Sequence, residues 1–386
     1  MNKIKVLHVS DEMSGGGAES VFRDTIKASQ ENGDQVDFFV SEKTRNIFSY
    51  VFSLRNFFLI KKRLNDFKPN VIHIHNYYHY LTPSILLAIR RHKKRYNCKV
   101  ILTAHDYHLI CPNSGFQFYK DNLAINYNNK YDNISYSDRF DVRSLMHSVL
   151  KLSQHVLCYD ILKLNYVFDK IICPSEFLRD TFENYNVMTK KVIIRNPFNI
   201  EINNEKNSRI SESNNVTSYP GVITIVYFGR LSPEKGIMEF IDGLNNISIN
   251  VDFHIYGSGG IKNDISNIKC RTGLNVIIHE FIDREELIKK IKLYDIFSLP
   301  SVWFENAPNS IIEAGAAGLP VIVSNRGGMI EMAKQTLFHY LLDDHAKNLE
   351  NIIISAYGRR KMNSIKEPNN FSYLTYKNAI FDIYRS

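Results

Sequence analysis

The chain has 386 residues, more than one hydrophobic core normally supports, so two domains are expected. Its five cysteines are scattered and odd in number, a pattern that gives no zinc site and favours a reducing compartment. No run approaches the ~18 apolar residues of a membrane span and the first residues show no signal-peptide pattern, so we expect a cytoplasmic protein.

Positive charge is in excess and is concentrated in the first half of the chain. The net charge is +8, which predicts an anionic partner. Two clusters of cations lie there, Lys61, Lys62, Arg63 and Lys68, and Arg90, Arg91, Lys93, Lys94, Arg95 and Lys99. Because aromatic residues precede the first group, this surface could rest on the anionic inner face of the plasma membrane, or it could be a solvated helix flank. Nucleic acid is not expected, because no RRM, KH, zinc-finger or helix-turn-helix signature accompanies the charge.

The first half of the chain alternates strand and helix patterns. Strands are predicted at residues 3–9, 35–40, 71–74, 99–103, 170–173 and 191–194, with helices through about 30 and near 48–66 and 82–95. This alternation predicts a doubly wound parallel sheet, in which ligands gather beyond the carboxyl ends of the strands. Residues 112–145 lack periodicity and predict an irregular excursion, which a helical run near 146–166 follows.

A glycine-rich loop follows the first strand. Gly15, Gly16 and Gly17 precede the first helix, where backbone N–H groups can approach a phosphate without a Cβ in the way. The Gly-x-Gly-x-x-Gly pattern is absent, which argues against a dinucleotide dehydrogenase. Glu19 could be only a first-turn acid that faces the helix dipole.

Histidines gather at the ends of the third and fourth strands. His73 and His75 end one of them, and His105 follows the other. No acid or cysteine of the second half pairs with them at metal-ligand spacing, so we expect no metal. We interpret His73 and His75 as packing residues beside the ligand site.

The second half of the chain begins after a polar stretch at residues 201–220, which predicts a linker and the domain boundary. A strand at 222–228 ends in a turn that carries Arg230 and Lys235. Arginine can form bidentate hydrogen bonds to phosphate oxygens, and lysine adds a mobile positive charge. Alternatively, both residues could be surface cations beside Glu234. A strand at 252–256 then runs into Gly257, at a further strand-glycine-helix junction.

Residues 301–328 carry two acids around one helix start. Pro308 suits the first helical position, and residues 309–317 predict a short helix whose free N–H groups and dipole favour phosphate. Glu313 lies about 7.5 Å along the helix axis, while Glu305 stays in the loop before it. Glu313 is the only charge of this helix, so we expect a ligand such as a ribose diol to bind it. The alternative is that this face of the helix is exposed to solvent.

These residues resemble the GT-B glycosyltransferases of the retaining family 4 type. The resemblance is carried by the Glu-x7-Glu spacing of Glu305 and Glu313, by GLPVIVSNRGG after it, by FGRLSPEKG at 228–236 and by SGGGAES at 14–20. Many members of the family have Gly-Phe-Gly where this chain has the run from Asn306 to Pro308. The sequence found in this chain is a variant that also occurs in the family. The resemblance spans nearly the whole chain.

The resemblance implies the fold and the site. The fold is α/β, with two Rossmann-like doubly wound parallel-sheet domains at residues 1–200 and 221–368 facing across a cleft, and a helix at 371–386 packing back on the first. The implied site residues are Gly16, Gly17, His105, Arg230, Lys235, Gly257, Glu305, Asn306, Ala307, Pro308, Asn309 and Glu313. Glu305 and His105 would contact the donor sugar and Glu313 the ribose, while Arg230, Lys235 and the helix start would hold the diphosphate.

The expected function is a retaining glycosyltransferase that moves a sugar from a nucleotide diphosphate donor, a UDP-sugar, to an acceptor hydroxyl. The resemblance implies a lipid-linked oligosaccharide acceptor in bacterial O-antigen, capsule or exopolysaccharide synthesis. No Asp-x-Asp sequence is present, so no cofactor or metal is expected, and retention could follow a front-face path. A double displacement would need a carboxylate, for which only Asp106 is a candidate. A non-catalytic GT-B scaffold subunit and a nucleotide-sugar epimerase are the alternatives.

Overall fold

The chain divides into two compact units. The computed structural model describes residues 3–42, 49–121, 123–127, 134–198, 221–280, 282, 284–343 and 348–386. Unit 1 is formed by Met1–Pro197 and Asn369–Ser386, and unit 2 by Phe198–Pro368. The predicted linker at 201–220 lies outside the described residues.

Unit 1 contains a parallel sheet of six strands. Its strands are β1 Lys5–Ser10, β2 Gln35–Val40, β3 Val71–Ile74, β4 Lys99–Thr103, β7 Lys170–Cys173 and β8 Lys190–Ile193, in the order β2-β1-β3-β4-β7-β8. Its helices are α1 Gly17–Glu31, α2 Leu54–Phe67, α3 Ser84–Tyr96, α4 Leu145–His155, α5 Glu176–Asn184 and α12 Tyr373–Arg385. A separate antiparallel hairpin consists of β5 Gln117–Lys120 and β6 Leu123–Asn126.

Unit 2 also contains a parallel sheet of six strands. Its strands are β9 Ile223–Phe228, β10 Val251–Tyr256, β11 Leu274–His279, β12 Ile296–Leu299, β13 Val321–Ser324 and β14 His339–Leu342, in the order β11-β10-β9-β12-β13-β14. Its helices are α6 Ile237–Asn245, α7 Lys262–Ser266, α8 Arg284–Ile291, α9 Asn309–Ala316, α10 Gly328–Lys334 and α11 Leu349–Tyr357. The two predicted parallel-sheet α/β domains are therefore confirmed.

Local sequence explains why these elements form. The central strands β3, β12 and β13 are buried at every position, as expected for apolar runs covered by helices on both faces of a parallel sheet. Four helices begin after a serine whose hydroxyl accepts a hydrogen bond from the backbone N–H three residues on, which satisfies one free donor of each helix start. These serines are Ser53, Ser144, Ser175 and Ser372.

Helix α12 completes the core of unit 1. Ile380 and Ile383 are buried in one cluster with Val6 of β1. Its tyrosines make buried hydrogen bonds as well: the Tyr376 hydroxyl lies 2.5 Å from Thr25 Oγ1, and the Tyr384 hydroxyl lies 2.6 Å from His73 Nδ1. The last helix of the chain therefore packs against α1 and the sheet of unit 1.

Two expectations for residues 112–166 were wrong in detail. The irregular excursion contains the β5–β6 hairpin. The predicted long helix is an α-helix only as far as His155, after which the chain forms a π-helix over Val156–Ile161. Lys163 then has a φ of +51°, and a 3-10 helix follows over Leu164–Val167.

Two further observations concern the environment of the chain. Within the described ranges, no helix has both the length and the apolar character needed to cross a bilayer. All five cysteines are free thiols, and only Cys270 is exposed.

Candidate functional site

The candidate residues of unit 2 lie at the point where the strand order of its sheet reverses. The chain runs outward from β9 to β10 and β11, and then returns to place β12 on the other side of β9. The loop after β9 carries Arg230 and Lys235, and the loop after β12 carries Glu305. Ligands of open parallel sheets bind at such a switch point, beyond the carboxyl ends of the strands.

Lys235 and Glu305 form a nearly buried ion pair. The distance from Lys235 Nζ to Glu305 Oε1 is 2.5 Å, and the two side chains are only 14% and 9% exposed. Ser301 Oγ donates a second hydrogen bond to the same oxygen at 2.7 Å, and the Trp303 ring lies 5.0 Å from the ammonium. Burial alone would raise the pKa of Glu305, but the charge and hydrogen bond of Lys235 outweigh it and lower that pKa. Glu305 is therefore ionised at neutral pH.

Helix α9 places Glu313 inside unit 2. Pro308 takes the capping position rather than the predicted first helical position, and the helix begins at Asn309. Glu313 is 7% exposed, and Ile312 and Ala314 beside it are buried too. The alternative of a solvated helix face is therefore wrong. An extended ligand with phosphate in its middle requires one acid on each side of a helix start. Glu305, the helix start at Asn309 and the carboxylate of Glu313 follow one another in this order along one continuous segment.

A glycine pair that we did not assign to the site supports the loop with Glu305 and Asn306. The Gly328 N–H donates to Glu305 O at 2.7 Å. A Cβ at Gly328 would lie 1.5 Å from Asn306 O, and Gly327 has a φ of +59°. Only glycine allows this approach. Asn306, with Ala307 and Pro308 after it, is half-buried. The paired glycines at the end of GLPVIVSNRGG were the visible signal for this contact.

Arg230 does not join the ion pair of Lys235. Its guanidinium pairs with Glu234 Oε1 at 3.0 Å and its side chain is 61% exposed. Such exposed pairs contribute little free energy, so a phosphate could displace Glu234 at small cost. The loop of Arg230 packs closely against Gly257, where a Cβ would lie 1.9 Å from Gly229 O. Gly257 thus has a packing reason to be glycine.

The glycine loop of unit 1 is partly satisfied by its own chain. Gly16 caps α1, and Glu19 Oε2 accepts a hydrogen bond from the Gly16 N–H at 2.8 Å. Glu19 therefore lies in the first turn and satisfies one N–H group of the helix start, and a ligand would have to share or displace this bond. A Cβ at Gly17 would meet no atom within 4 Å, so the helix start is open there.

His105 forms a hydrogen-bonded pair with His75. The distance from His105 Nε2 to His75 Nδ1 is 3.0 Å. Burial lowers the pKa of His105 to about 4. The neighbouring Asp106 has a pKa raised to about 6 by burial, and it accepts hydrogen bonds from the Tyr78 hydroxyl and, at 2.9 Å, from the His108 N–H. His105 is thus a neutral imidazole at pH 7.

His73 is a packing residue, as the sequence indicates. It is fully buried, its Nδ1 is bonded to Tyr384 and its Nε2 lies 2.7 Å from Thr103 Oγ1. Within the described part of the chain, no group of three or more His, Cys, Asp or Glu side chains is arranged to hold a metal ion.

Comparison with known families gives two matches that together span most of the chain. Residues 15–202 match the family described as Glycosyltransferase Family 4, and residues 208–376 match the family described as Glycosyl transferases group 1.

Individual relatives are similar at low identity. An uncharacterized 42.6 kDa protein in the cps region of Klebsiella pneumoniae is 26% identical over 304 residues, which are 76% of this chain and 68% of the relative. The UDP-Gal:alpha-D-GlcNAc-diphosphoundecaprenol alpha-1,3-galactosyltransferase of Escherichia coli is 33% identical over 128 residues. That match covers 32% of this chain and 32% of the transferase.

Solved structures share the architecture. Anabaena Alr3699/HepE in complex with UDP-glucose aligns with 98% of this chain and 99% of its own, with a TM-score of 0.61 at 15% identity. At this identity, the likeness shows the fold alone.

Proposed function

The chain belongs to the glycosyltransferases of the GT-B fold, with a family 4 domain followed by a group 1 domain, and from this membership we propose a specific reaction. The enzyme transfers a sugar from a UDP-sugar to an acceptor hydroxyl with retention of the anomeric configuration. Anabaena Alr3699/HepE, which has the same fold, was solved with UDP-glucose, and this supports a UDP-sugar donor.

The observation that carries this proposal is the set of charges at the switch point of unit 2. Glu305 binds hydroxyls of the donor sugar, and Glu313 binds the ribose. The diphosphate lies at the N-terminus of α9, where the helix dipole favours an anion. Lys235 has three N–H donors, so it can keep its bond to Glu305 and still bind a phosphate oxygen. Arg230 turns from Glu234 to the diphosphate.

The reaction needs no metal in this proposal. As the bond between the anomeric carbon and the donor phosphate oxygen breaks, negative charge develops on UDP, and Lys235, Arg230 and the helix N–H groups stabilise it. The acceptor oxygen bonds to the anomeric carbon on the same face. The acceptor proton passes to an oxygen of the departing phosphate, so that the products are UDP and the glycosylated acceptor. In unit 1, His105 donates a hydrogen bond to the donor sugar.

The acceptor is a lipid-linked saccharide of bacterial surface-polysaccharide synthesis. The name of the Escherichia coli relative describes an acceptor with a diphosphoundecaprenol group, and the Klebsiella pneumoniae relative lies in a cps region. Both names support an assignment to O-antigen, capsule or exopolysaccharide synthesis.

Helix α2 has a surface that suits contact with the membrane in which such an acceptor resides. Leu54 and Phe58 are 63% and 59% exposed, and Lys61 and Lys62 are exposed one turn further along the same face. Apolar side chains can enter the lipid interface while the lysines face anionic headgroups. We therefore place the protein at the inner face of the plasma membrane as a peripheral protein.

Calorimetric titration of UDP in the presence of EDTA tests the donor site. We expect wild-type protein to bind UDP, and Glu313→Ala to bind roughly ten- to a hundredfold more weakly, because one charge-assisted contact is lost. Asp242→Ala is the matched control, since Asp242 is an exposed acid in helix α6 of the same unit. Binding that is indifferent to Glu313, or that EDTA abolishes, contradicts the proposal. Binding of UDP without turnover of any UDP-sugar would favour a non-catalytic scaffold.

A further inference from the structure

The pair formed by His75 and His105 lies beside the switch point of unit 1, beyond the carboxyl ends of β3 and β4. The strand order there reverses between β1 and β3. His75 directly follows β3, and His105 lies two residues beyond β4. The two rings stack with centroids 5.2 Å apart and planes 25° apart, and both residues line one small cavity with Asp106. The pair therefore occupies the position in its sheet where a ligand is expected.

Both histidines are neutral at pH 7. Burial, with smaller contributions from the nearby His73, His105 and His8, holds the pKa of His75 well below its usual value. The pKa of His105 is about 4 because of burial. A hydrogen bond between two neutral imidazoles has one donor and one acceptor, so only two assignments of the protons are possible.

The environment of His75 distinguishes the two assignments. His75 is 2% exposed, and its buried Nε2 has no hydrogen-bond partner among the described residues. If His105 donated, the proton of His75 would sit on this Nε2, as a buried N–H group without an acceptor. If His75 donates from Nδ1, Nε2 carries only a lone pair. Buried N–H groups without partners are rarer in proteins than unpaired acceptors. His75 is therefore the donor.

The proton of His105 then sits on Nδ1. His105 is partly exposed, and its Nδ1 has no hydrogen-bond partner in the part of the chain that the structure describes. We propose that His75 is a positioning residue that fixes the tautomer and the ring plane of His105, so that His105 offers an Nδ1–H donor to a ligand oxygen. For the identity of that ligand, the donor sugar, this inference rests on the proposed function.

The tautomer can be measured without any ligand. Full-length protein labelled with nitrogen-15 at histidine gives long-range proton–nitrogen spectra that distinguish Nδ1–H from Nε2–H rings, and His105→Gln identifies the signals of His105. We expect Nδ1–H at His105 in the wild-type protein and in His75→Asn, whose amide can donate from nearly the same position. In His75→Phe, we expect a shift towards Nε2–H, the form that imidazole prefers in water. An Nε2–H ring at His105 in the wild-type protein overturns the inference.

A second histidine pair supplies the matched control. His254 Nδ1 lies 2.8 Å from His279 Nε2 in unit 2, and these rings stack as well, at 5.1 Å. His254→Phe should alter the signals of His279 and leave those of His105 unchanged. If both phenylalanine variants shift His105 alike, the effect is not specific to His75 and the inference fails.

Turnover shows whether the positioning affects the reaction. Release of UDP from UDP-glucose should fall about tenfold in kcat in His75→Phe, the loss of one oriented hydrogen bond, with little change in KM. His75→Asn should recover most of this loss. Equal kcat values in all three proteins would overturn the positioning role. If the wild-type protein turns over no UDP-sugar, the proposed function fails, while the spectra still decide the tautomer of His105.

Discussion

The ion pair between Lys235 and Glu305 gives the sharpest quantitative prediction, because its two partners can be removed separately and together. Glu305→Gln keeps the volume and an oxygen for the Ser301 hydroxyl but leaves the ammonium unpaired. Lys235→Met keeps the length of the side chain and leaves the carboxylate unpaired. The double variant removes both charges.

The expected free energies follow from the burial of the pair. Removing one partner of a buried pair costs about 3–5 kcal/mol. Both side chains are slightly exposed, at 14% and 9%, so values at or just below the low end of this range apply. We expect Lys235→Met to lower the free energy of unfolding of unit 2 by about 3 kcal/mol and Glu305→Gln by about 2 kcal/mol, since the ammonium can reach water more easily. The double variant should lose about 3 kcal/mol rather than the sum, a coupling of about 2 kcal/mol.

Trp303 is a suitable reporter for this measurement. It is the only tryptophan of the chain and its ring lies 5.0 Å from Lys235 Nζ, so its fluorescence follows unit 2 during denaturation by urea. This matters because a chain of two units need not unfold in one step. Each variant should lower the urea midpoint of the Trp303 signal.

The pH dependence has a definite sign. The pKa of Glu305 is lower in the folded protein than its usual 4.5, so the ionised carboxylate stabilises unit 2 fully above that pH and the stabilisation is lost as the pH falls through the folded pKa. The difference between wild type and Glu305→Gln should therefore shrink on acidification below 4.5. Additive effects of the two substitutions, or a difference that grows in acid, would refute the reasoning.

Two other predictions concern the loop of Glu305 and the surface of α2. Gly328→Ala should destabilise unit 2 by at least about 3 kcal/mol and abolish UDP binding, because its Cβ would lie 1.5 Å from a backbone oxygen. The control is Gly221→Ala, whose Cβ would meet no atom within 4 Å. Equal unfolding midpoints of the two variants would contradict the packing argument. In sedimentation with phosphatidylethanolamine vesicles containing phosphatidylglycerol, Lys62→Gln should weaken binding about fivefold and Phe58→Ala should also weaken it. Leu374→Ala, on the exposed side of α12, should not, and binding unaffected by Lys62 and Phe58 would exclude α2 as the contact.

The central strands were predictable from the sequence and the edge strands of unit 2 were not. β9 is a largely apolar run and β10 alternates polar and apolar residues before a glycine, and each was expected within about one residue of its observed bounds. β11 and β14 escaped notice because they are edge strands with half-buried residues, in which only one position of each is fully buried. Their strand conformation depends on pairing with β10 and β13, a tertiary contact that local periodicity does not record.

The same distinction applies to the site. Residue types near strand ends indicated Arg230, Lys235 and Glu305, and the lone charge of a short helix indicated Glu313, because phosphate and hydroxyl ligands require such groups. The pairings could not be predicted. Lys235 bonds an acid 70 residues away, whereas Arg230 bonds one four residues away. Local spacing allows the second pair, but only the strand order of unit 2, which sets β9 beside β12, produces the first.

Two histidines of nearly the same local sequence show how the fold assigns different roles to similar residues. His73 and His75 are two residues apart, so strand alternation points both to one side of the sheet. His73 lies inside β3, where Tyr384 and Thr103 bond both its nitrogens and leave it nothing to offer a ligand. His75 lies just past the end of the strand, and its one bond goes to His105. A shift of two positions along the chain therefore distinguishes a packing residue inside a strand from a residue beyond the strand end that can position a group at the ligand site. The position relative to the strand end, rather than the histidine side chain itself, makes the difference.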